Sequence, residues 1–484
     1  LITKHFSIRI DNIKLKSFEG LNSIPIEVKK KGASAICQYI IDLSKSFHPL
    51  YRTKLMVVGY ENVGKTSLLD CLFPLTAWLK TQGDIKKTRY WFQLQGNCLQ
   101  KFKTMESSEP HKKYILGQDW DLTEVRENEI YLQKKDKSTK EIKIYCQNES
   151  MRNEWSQRLQ RVINPFSTHG IEIQKIDLSH HPLTQHLREQ ENQLELSVWD
   201  FSGQDDYNNA HHYFLSPRSL FLITYRLDQL QNEDSLKWVD FWLKSLSVHL
   251  SEAPTNEKKN RNSYFLETNS QQPFSIVIVG TFLDFENSFK NDFSTREEKI
   301  LELGIKNRIN SNQIHYTEVS CSTLKNIDTL RNAIISLSLS HSYMGEKVPD
   351  SYLVIENSIN QLQIEHFNFP IVEISVLMNH CSSISDIEFE QDLFTRALKL
   401  LHEWGKCIYY DSPEELSKVV ILRPEFLTKD IFGRLLCAEL REKRVDGIIN
   451  HSDLIHFWPK YHESSSILIS LLQKLEFCFP LDEQ

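Results

Sequence analysis

The chain has 484 residues, 40% hydrophobic and 25% charged, enough for about three domains with cores of their own. Its 64 acidic and 57 basic side chains leave a formal net charge of −7, which argues against the globally basic footprint of a nucleic-acid binder. No apolar run approaches the roughly 18 residues that span a bilayer, and Leu1–Ile10 carries Lys4 and Arg9 without a signal-peptide pattern.

Nine scattered cysteines with no C-x-x-C pair fit reduced thiols, so a cytoplasmic location is expected. The sequence starts at Leu1 rather than Met, as a piece of a longer protein would. Within residues 1–50, Leu21-Asn22-Ser23-Ile24-Pro25 is one L-x-x-I-P unit; a single leucine-rich repeat cannot bury its own face, so the unit reads only as the last repeat of an array lying upstream. Ala35–Leu43 follows with helical periodicity.

Gly59-Tyr60-Glu61-Asn62-Val63-Gly64-Lys65-Thr66 matches G-x-x-x-x-G-K-[ST], the phosphate-binding P-loop. An apolar strand, Lys54–Val58, leads in, and Ser67–Leu72 reads as a helix leading out. The backbone of Glu61, Asn62, Val63, Gly64 and Ser67 would cradle phosphates at the helix N-terminus. Lys65 would reach the β/γ oxygens and Thr66 would ligate Mg²⁺.

Residues 75–163 have another character. Short aromatic strands at Ala77–Lys80, Arg89–Leu94, Cys98–Phe102, Ile130–Gln133 and Ile142–Cys146 precede a helix with Met151, Trp155, Leu159 and Val162 on one face. This predicts a small β domain inserted in an exposed loop.

Strands at Gly170–Leu178, Leu194–Asp200, Ser219–Tyr225, Ser275–Gly280 and Ile314–Val319 alternate with helices such as Asp234–Leu250 and Ile327–Leu337. Alternation of this kind predicts a mostly parallel α/β sheet with ligands at its carboxyl edge. Beyond residue 340, Phe394, Ala397, Leu398, Leu401 and Trp404 form a helical stripe stopped by Gly405. Ile408–Tyr410 and Val419–Leu422 then read as a hairpin, together a winged-helix-like unit.

Four further segments narrow the ligand. Asp200-Phe201-Ser202-Gly203-Gln204 matches D-x-x-G-Q: Asp200 for Mg²⁺, the Gly203 N–H for the γ-phosphate, Gln204 for the attacking water. Thr168, before the second strand, reads either as a Mg²⁺-ligating switch threonine or as an ordinary loop residue. In Gly280-Thr281-Phe282-Leu283-Asp284, the Asp284 carboxylate can pair with the guanine N1–H and amine, which favours GTP over ATP. The lysine of N-K-x-D is absent, and Phe282 stands there with a ring able to stack on a base. Ser320-Cys321-Ser322 is placed as a last base-contacting loop.

Residues 51–74 and 164–340 resemble Roc, the Ras-like GTPase domain of the Roco family, through the T-x-x-D motif and the Leu-Met-Val-Val-Gly strand. Residues 345–484 resemble the start of COR, through Leu398–Gly405 and Val420–Leu427, and residues 1–50 the end of a leucine-rich region. The 75–163 block resembles a pleckstrin-homology (PH) domain, with Trp155 on its closing helix. The fold class expected is α/β: a Ras-like P-loop domain interrupted by a PH-like β-barrel with capping helix, then an α+β winged-helix-like COR segment. The resemblance implies a GTP-hydrolysing intracellular switch, GTP/GDP and Mg²⁺ as ligands, and homodimer contacts through COR and Roc. Such proteins often carry a kinase after COR, but no kinase motif occurs in these residues.

Glu61 departs from Ras-like loops, where glycine is common; a carboxylate beside the γ-phosphate implies slow hydrolysis. The competing reading is a nucleotide-binding scaffold with negligible hydrolysis, whose PH-like and COR modules dock partners. Lys80, Lys86, Lys87 and Arg89 fit a phosphoinositide pattern by letters, giving a membrane-recruitment reading. Counting back from Phe92, strand alternation turns Lys87 and Arg89 to the other face, which favours a solvated basic hairpin. His180-His181 and His211-His212 lack further ligands at metal spacing. Thr255–Asn262 reads as a solvated loop.

Overall fold

The computed structural model describes residues 24–82, 87–107, 109–126, 128–139, 141–165, 170–203, 214–229, 234–250, 274–288, 292–427, 431, 448 and 465–481. Helices α1 (Ile26–Lys30) and α2 (Ala33–Leu43) lead into β1 (Phe47–Leu50), β2 (Arg52–Gly59) and α3 (Lys65–Leu72). The 75–163 block follows as β3 (Leu75–Gln82), β4 (Lys87–Gln95), β5 (Cys98–Phe102), β6 (Lys112–Ile115), β7 (Trp120–Arg126), β8 (Glu129–Lys134), β9 (Ile142–Tyr145) and α4 (Glu149–Ile163). Next come β10 (Ile171–Asp177), α5 (Gln185–Glu189), β11 (Glu195–Phe201), β12 (Ser219–Arg226), α6 (Asp234–Leu250) and β13 (Ser275–Thr281). Then α7 (Phe293–Lys306), β14 (Ile314–Glu318) and α8 (Ile327–Ser340) complete this part. The C-terminal part holds β15 (Glu346–Pro349), α9 (Asp350–Glu365), β16 (Ile371–Glu373), α10 (Ile374–Ile384), α11 (Gln391–Glu403), α12 (Glu414–Ser417), β17 (Val419–Ile421) and α13 (Ser465–Lys474).

A six-stranded sheet in the order β10-β11-β2-β12-β13-β14 positions the site. Only β10 runs antiparallel to its neighbour; the other pairs are parallel. Its inner strands are buried along nearly their whole length because helices cover both faces. Alternation sorts the side chains: Leu55 and Val57 pack with Leu68, Leu72 and Ile334 on the α3/α8 face. Met56 and Val58 pack with Trp242, Leu243 and Ile300 on the α6/α7 face. That second core continues into Ile421, Phe426, Leu468 and Leu472, so the C-terminal part closes against the sheet directly.

The 75–163 block is a seven-stranded antiparallel sheet, β6-β5-β4-β3-β9-β8-β7, capped by α4. Trp155, Leu159 and Ile163 of α4 bury against Leu79, Phe92, Ile130 and Ile144. The Asn148 side chain accepts from the Met151 N–H at 2.8 Å and caps the helix. Strands β6 and β7 add to the five read from sequence; β6 is an exposed edge strand whose Lys112 and Lys113 mask its pattern.

The expected hairpin of 408–410 with 419–422 is present only as one antiparallel bridge, Ile408 with Ile421 through backbone hydrogen bonds of 2.8 and 2.9 Å. Strand β17 pairs antiparallel instead with β16, far upstream. Residues 24–50 are integrated with this region. Ile24, Val28 and Tyr39 share a core with Ile355, Ile359, Leu398 and Leu401, and β1 pairs antiparallel with β15. Asp42 accepts from Tyr352 at 3.0 Å and pairs with Arg396 at 3.1 Å.

Candidate functional site

The carboxyl ends of β2, β11, β12, β13 and β14 converge on the N-terminus of α3. Strand β2 ends at Gly59, whose φ of +149° and close approach to β12 exclude a side chain. A Cβ there would lie 2.4 Å from the Thr224 carbonyl oxygen and 2.5 Å from its Oγ1. The loop then turns through Asn62 at φ +59° and Gly64 at φ +85° into α3. Ser67 is exposed on its first turn. Lys65 is buried and folds back on the loop, its Nζ donating to the Gly59 and Tyr60 carbonyls at 2.9 and 2.8 Å. Burial lowers its pKa to about 8, against the opposing pull of Asp200 and Glu61.

Thr66 donates from Oγ1 to Asp200 Oδ2 at 2.6 Å. Burial raises the Asp200 carboxyl to about 6, opposed by the Thr66 hydrogen bond and by Lys65. Gly203 comes over the loop: a Cβ at this position would stand 2.4 Å from Lys65 Nζ and 2.5 Å from the Glu61 nitrogen. Gln204, Thr168 and His211-His212 lie outside the described residues, as do Lys86 and Thr255–Asn262.

On the other side of the loop, buried Thr281 donates to the Val63 carbonyl at 2.8 Å and the Tyr225 carbonyl at 3.0 Å. Asp284 accepts from Ser320 Oγ at 2.7 Å, and Ser320 Oγ also accepts from the Thr323 N–H. Burial pushes the Asp284 pKa up, but Ser320, its own backbone N–H and Ser322 outweigh that and lower it. An ionised, oriented acceptor results. Cys321 presents its carbonyl to the Cys71 thiol at 3.6 Å.

The structure therefore brings together Gly59, Glu61, Asn62, Val63, Gly64, Lys65, Thr66, Ser67, Asp200, Gly203, Thr281, Asp284, Ser320 and Cys321 along one edge. Two partners were not read from sequence. Tyr60 stacks on Trp238 of α6 at 4.6 Å, and Arg226 lies over the Phe282 ring at 4.0 Å. Neither has a local signal, since both depend on elements far apart in the chain. His181 uses Nδ1 to accept from the Leu183 N–H at 3.3 Å. Among the described residues no three His, Cys, Asp or Glu side chains form a metal-holding group, and no helix is long and apolar enough to cross a membrane.

In the inserted block, Lys80 and Arg89 are directly opposite in the β3–β4 register, and both are exposed. Arg89 lies 5.5 Å from the Trp78 ring centroid, on the face opposite to buried Leu79 and Phe92.

Comparison with known proteins gives two domain matches. Residues 156–256 match the family model "Ras of Complex, Roc, domain of DAPkinase", and residues 349–484 match "C-terminal of Roc, COR-A domain". The chain is 26% identical over 99% of its length to the "Probable serine/threonine-protein kinase pats1" of Dictyostelium discoideum, covering 12% of that protein. It is 24% identical over 96% of its length to roco5 of the same organism, another probable serine/threonine-protein kinase, covering 14% of it. The chain thus spans under a sixth of either relative. Its fold is similar to the Methanosarcina barkeri Roco2 RocCORdC structure, which is bound to GDP. The TM-score is 0.51 at 15% identity, covering 91% of this chain and 95% of that one.

Proposed function

We propose that the chain is a Roco-type GTPase module that binds and slowly hydrolyses GTP with Mg²⁺ as a signalling switch. The supporting observation is the 2.6 Å hydrogen bond from Thr66 to Asp200, residues from two separate motifs meeting at the ends of neighbouring parallel strands. In this reading residues 51–74 and 164–340 are the Roc domain and 345–484 the first part of COR. Residues 75–163 are a PH-like insert, and 1–50 the end of a leucine-rich region. The seven-stranded antiparallel sheet capped by one helix supports the PH reading.

The Thr66 hydroxyl and the Asp200 carboxylate are hard oxygen donors of the kind Mg²⁺ takes, with Thr168 as a third. Asp200 is buried with a raised proton affinity despite Thr66 and Lys65, so a dication beside it would further favour its ionised form. Bound Mg²⁺ supplies neutralisation of charge on the β- and γ-phosphate oxygens. Lys65 and the backbone N–H groups of residues 61–67 bind those phosphates, and the Gly203 N–H meets the γ-phosphate. Gln204 orients the attacking water. Asp284, held by Ser320, accepts from guanine N1–H and its amine, and Cys321 lies beside it on the same loop. The Glu61 carboxylate, close enough to act on Lys65, repels the γ-phosphate and slows turnover.

Phosphate release with GTP against ATP tests the reading, alongside Lys65→Ala and Gln204→Leu. Equal rates in parent and variants would remove the enzyme and leave the scaffold reading, which Glu61 favours. COR and Roc surfaces are proposed to form a homodimer in the cytoplasm, a concentration-dependent species in sedimentation velocity. For the insert, the outward placement of Lys80 and Arg89 beside Trp78 favours a solvated basic hairpin over a phosphoinositide pocket. Sedimentation with phosphoinositide liposomes decides, and binding that Lys80→Ala abolishes would reverse that preference.

A further inference from the structure

Arg226 ends β12 and faces the gap between the P-loop and the 281–284 loop. Its guanidinium carbon lies 4.0 Å from the Phe282 ring centroid. Its Nη1 donates to the Asn62 carbonyl at 3.4 Å. Nε and Nη2 grip the Asp228 carboxylate at 2.9 and 2.6 Å, a two-point pair that fixes the plane of the guanidinium. The side chain is 23% exposed, so three of its neighbours and little solvent determine its position.

Both residues it touches across the gap sit in the left-handed region. Asn62 sits at φ +59° and Phe282 at φ +64°. Asparagine tolerates the left-handed region, but a bulky aromatic there is an outlier that surrounding structure must hold. The ring lies directly beside the P-loop: a Cβ on Gly64 would touch Phe282 Cε2 at 3.8 Å, an ordinary van der Waals contact. Phe282 also stands where a base motif of the N-K-x-D kind carries lysine.

We propose that Arg226 is a positioning residue for the nucleotide, supplying from β12 the cation that position 282 lacks. It ties the P-loop backbone to the Phe282 ring and covers one face of that ring, and the purine takes the other. Planarity matters, because a guanidinium both stacks and forks, whereas an ammonium does neither. The inference rests on the nucleotide reading above and adds a specific residue to it.

The test is the dissociation rate of fluorescent GDP from the full chain with Mg²⁺, by stopped flow. Arg226→Ala is expected to speed dissociation about tenfold, the scale of a lost stacked cation with its hydrogen bond. Arg226→Lys is expected to recover less than half of that loss on a logarithmic scale. The double variant Arg226→Ala/Phe282→Lys, which returns a cation from the other side of the gap, is expected to release GDP more slowly than Arg226→Ala. A generally loosened fold would not be rescued that way. A folded Arg226→Ala protein whose rate stays within twofold of the parent overturns the proposal while the nucleotide reading stands. A parent that fails to bind GDP overturns both. Should Arg226→Ala not fold, Arg226→Lys decides: an unchanged rate refutes the planar role, a severalfold faster one supports it.

Discussion

Glu356→Gln tests how the two halves of the molecule are held. Glu356, on α9, is 4% exposed, with its carboxylate 2.9 Å from Arg52 and 3.3 Å from Lys406. Glu195 closes the square, 3.0 Å from Arg52 and 3.1 Å from Lys406. Arg52 and Glu195 begin two neighbouring strands of the central sheet, and Glu356 and Lys406 belong to the C-terminal part. Burial alone would raise the Glu356 carboxyl; Lys406 and Arg52 overcome it and hold the pKa at about 2. Burial lowers Lys406 despite Glu356, yet two cations within 3.3 Å support the ionised carboxylate. A fall from 4.5 to about 2 corresponds to a contribution on the order of 3 kcal/mol. Because the folded pKa is depressed, that contribution is complete above pH 4.5 and disappears as pH falls toward 2. At pH 7 the glutamine variant strands two buried cations on Glu195 alone, a loss of about 3–5 kcal/mol. Urea unfolding, followed by tryptophan fluorescence at steps between pH 7 and pH 3, reads the difference. The gap should narrow below pH 4.5. A difference under about 1 kcal/mol at pH 7, or one independent of pH, would refute the assignment.

Glu61→Gly should raise the single-turnover rate of GTP hydrolysis several-fold; an unchanged rate would sink the argument from its carboxylate. Lys54 is buried against Trp199 with Nζ donating to the Phe214 carbonyl at 2.6 Å, and burial lowers it from 10.5 to about 7. A lysine less basic when folded penalises the fold below its unfolded pKa, fully below pH 7. Stability should therefore rise from pH 7 toward 10 by up to about 4–5 kcal/mol, and Lys54→Met should flatten that slope in pH-stepped denaturation. Gly203→Ala places a Cβ 2.4 Å from Lys65 Nζ and 2.5 Å from the Glu61 nitrogen, so GTP affinity by calorimetry should drop at least about tenfold, and the backbone clash should lower the unfolding midpoint as well. Unaltered affinity would mean that this turn leaves the P-loop when nucleotide binds.

The central sheet was legible because its inner strands are buried on both faces and read as unbroken apolar runs, as Leu220–Tyr225 does. Strand β6 was not, because two exposed lysines sit in a four-residue edge strand. The pairing of β17 with β16 was hidden for another reason: three-residue strands carry no register of their own, and packing selects the partner. At the site, motif residues announce themselves by spacing along one stretch of chain. Arg226 reaches a P-loop carbonyl 164 residues away, and Glu356 pairs with Arg52 304 residues away. Pairs of that kind leave no local pattern.

The insertion point itself constrains how the inserted block can influence the site. The block is not a bead on two linkers. Asp70 of α3 pairs with Arg158 of α4 at 2.8 Å, and Arg158 also donates to the Phe73 carbonyl at 2.8 Å. At the β4–β5 turn the Gly96 N–H donates to the Asp70 carbonyl at 3.1 Å, and Gln95 donates to the Cys71 carbonyl at 3.0 Å. A Cβ on Gly96 would stand 2.8 Å from Cys71 Sγ, and that thiol in turn meets the Cys321 carbonyl. The closing helix and one hairpin turn thus both grip the C-terminal end of α3, whose first turn carries Lys65 and Thr66. Eight residues of helix span only about 12 Å, too short to absorb a displacement by bending. Both contacts run through α3: its first turn carries Lys65 and Thr66, and its Cys71 thiol meets the Cys321 carbonyl, so among these contacts the inserted block has no route to those residues that bypasses this helix.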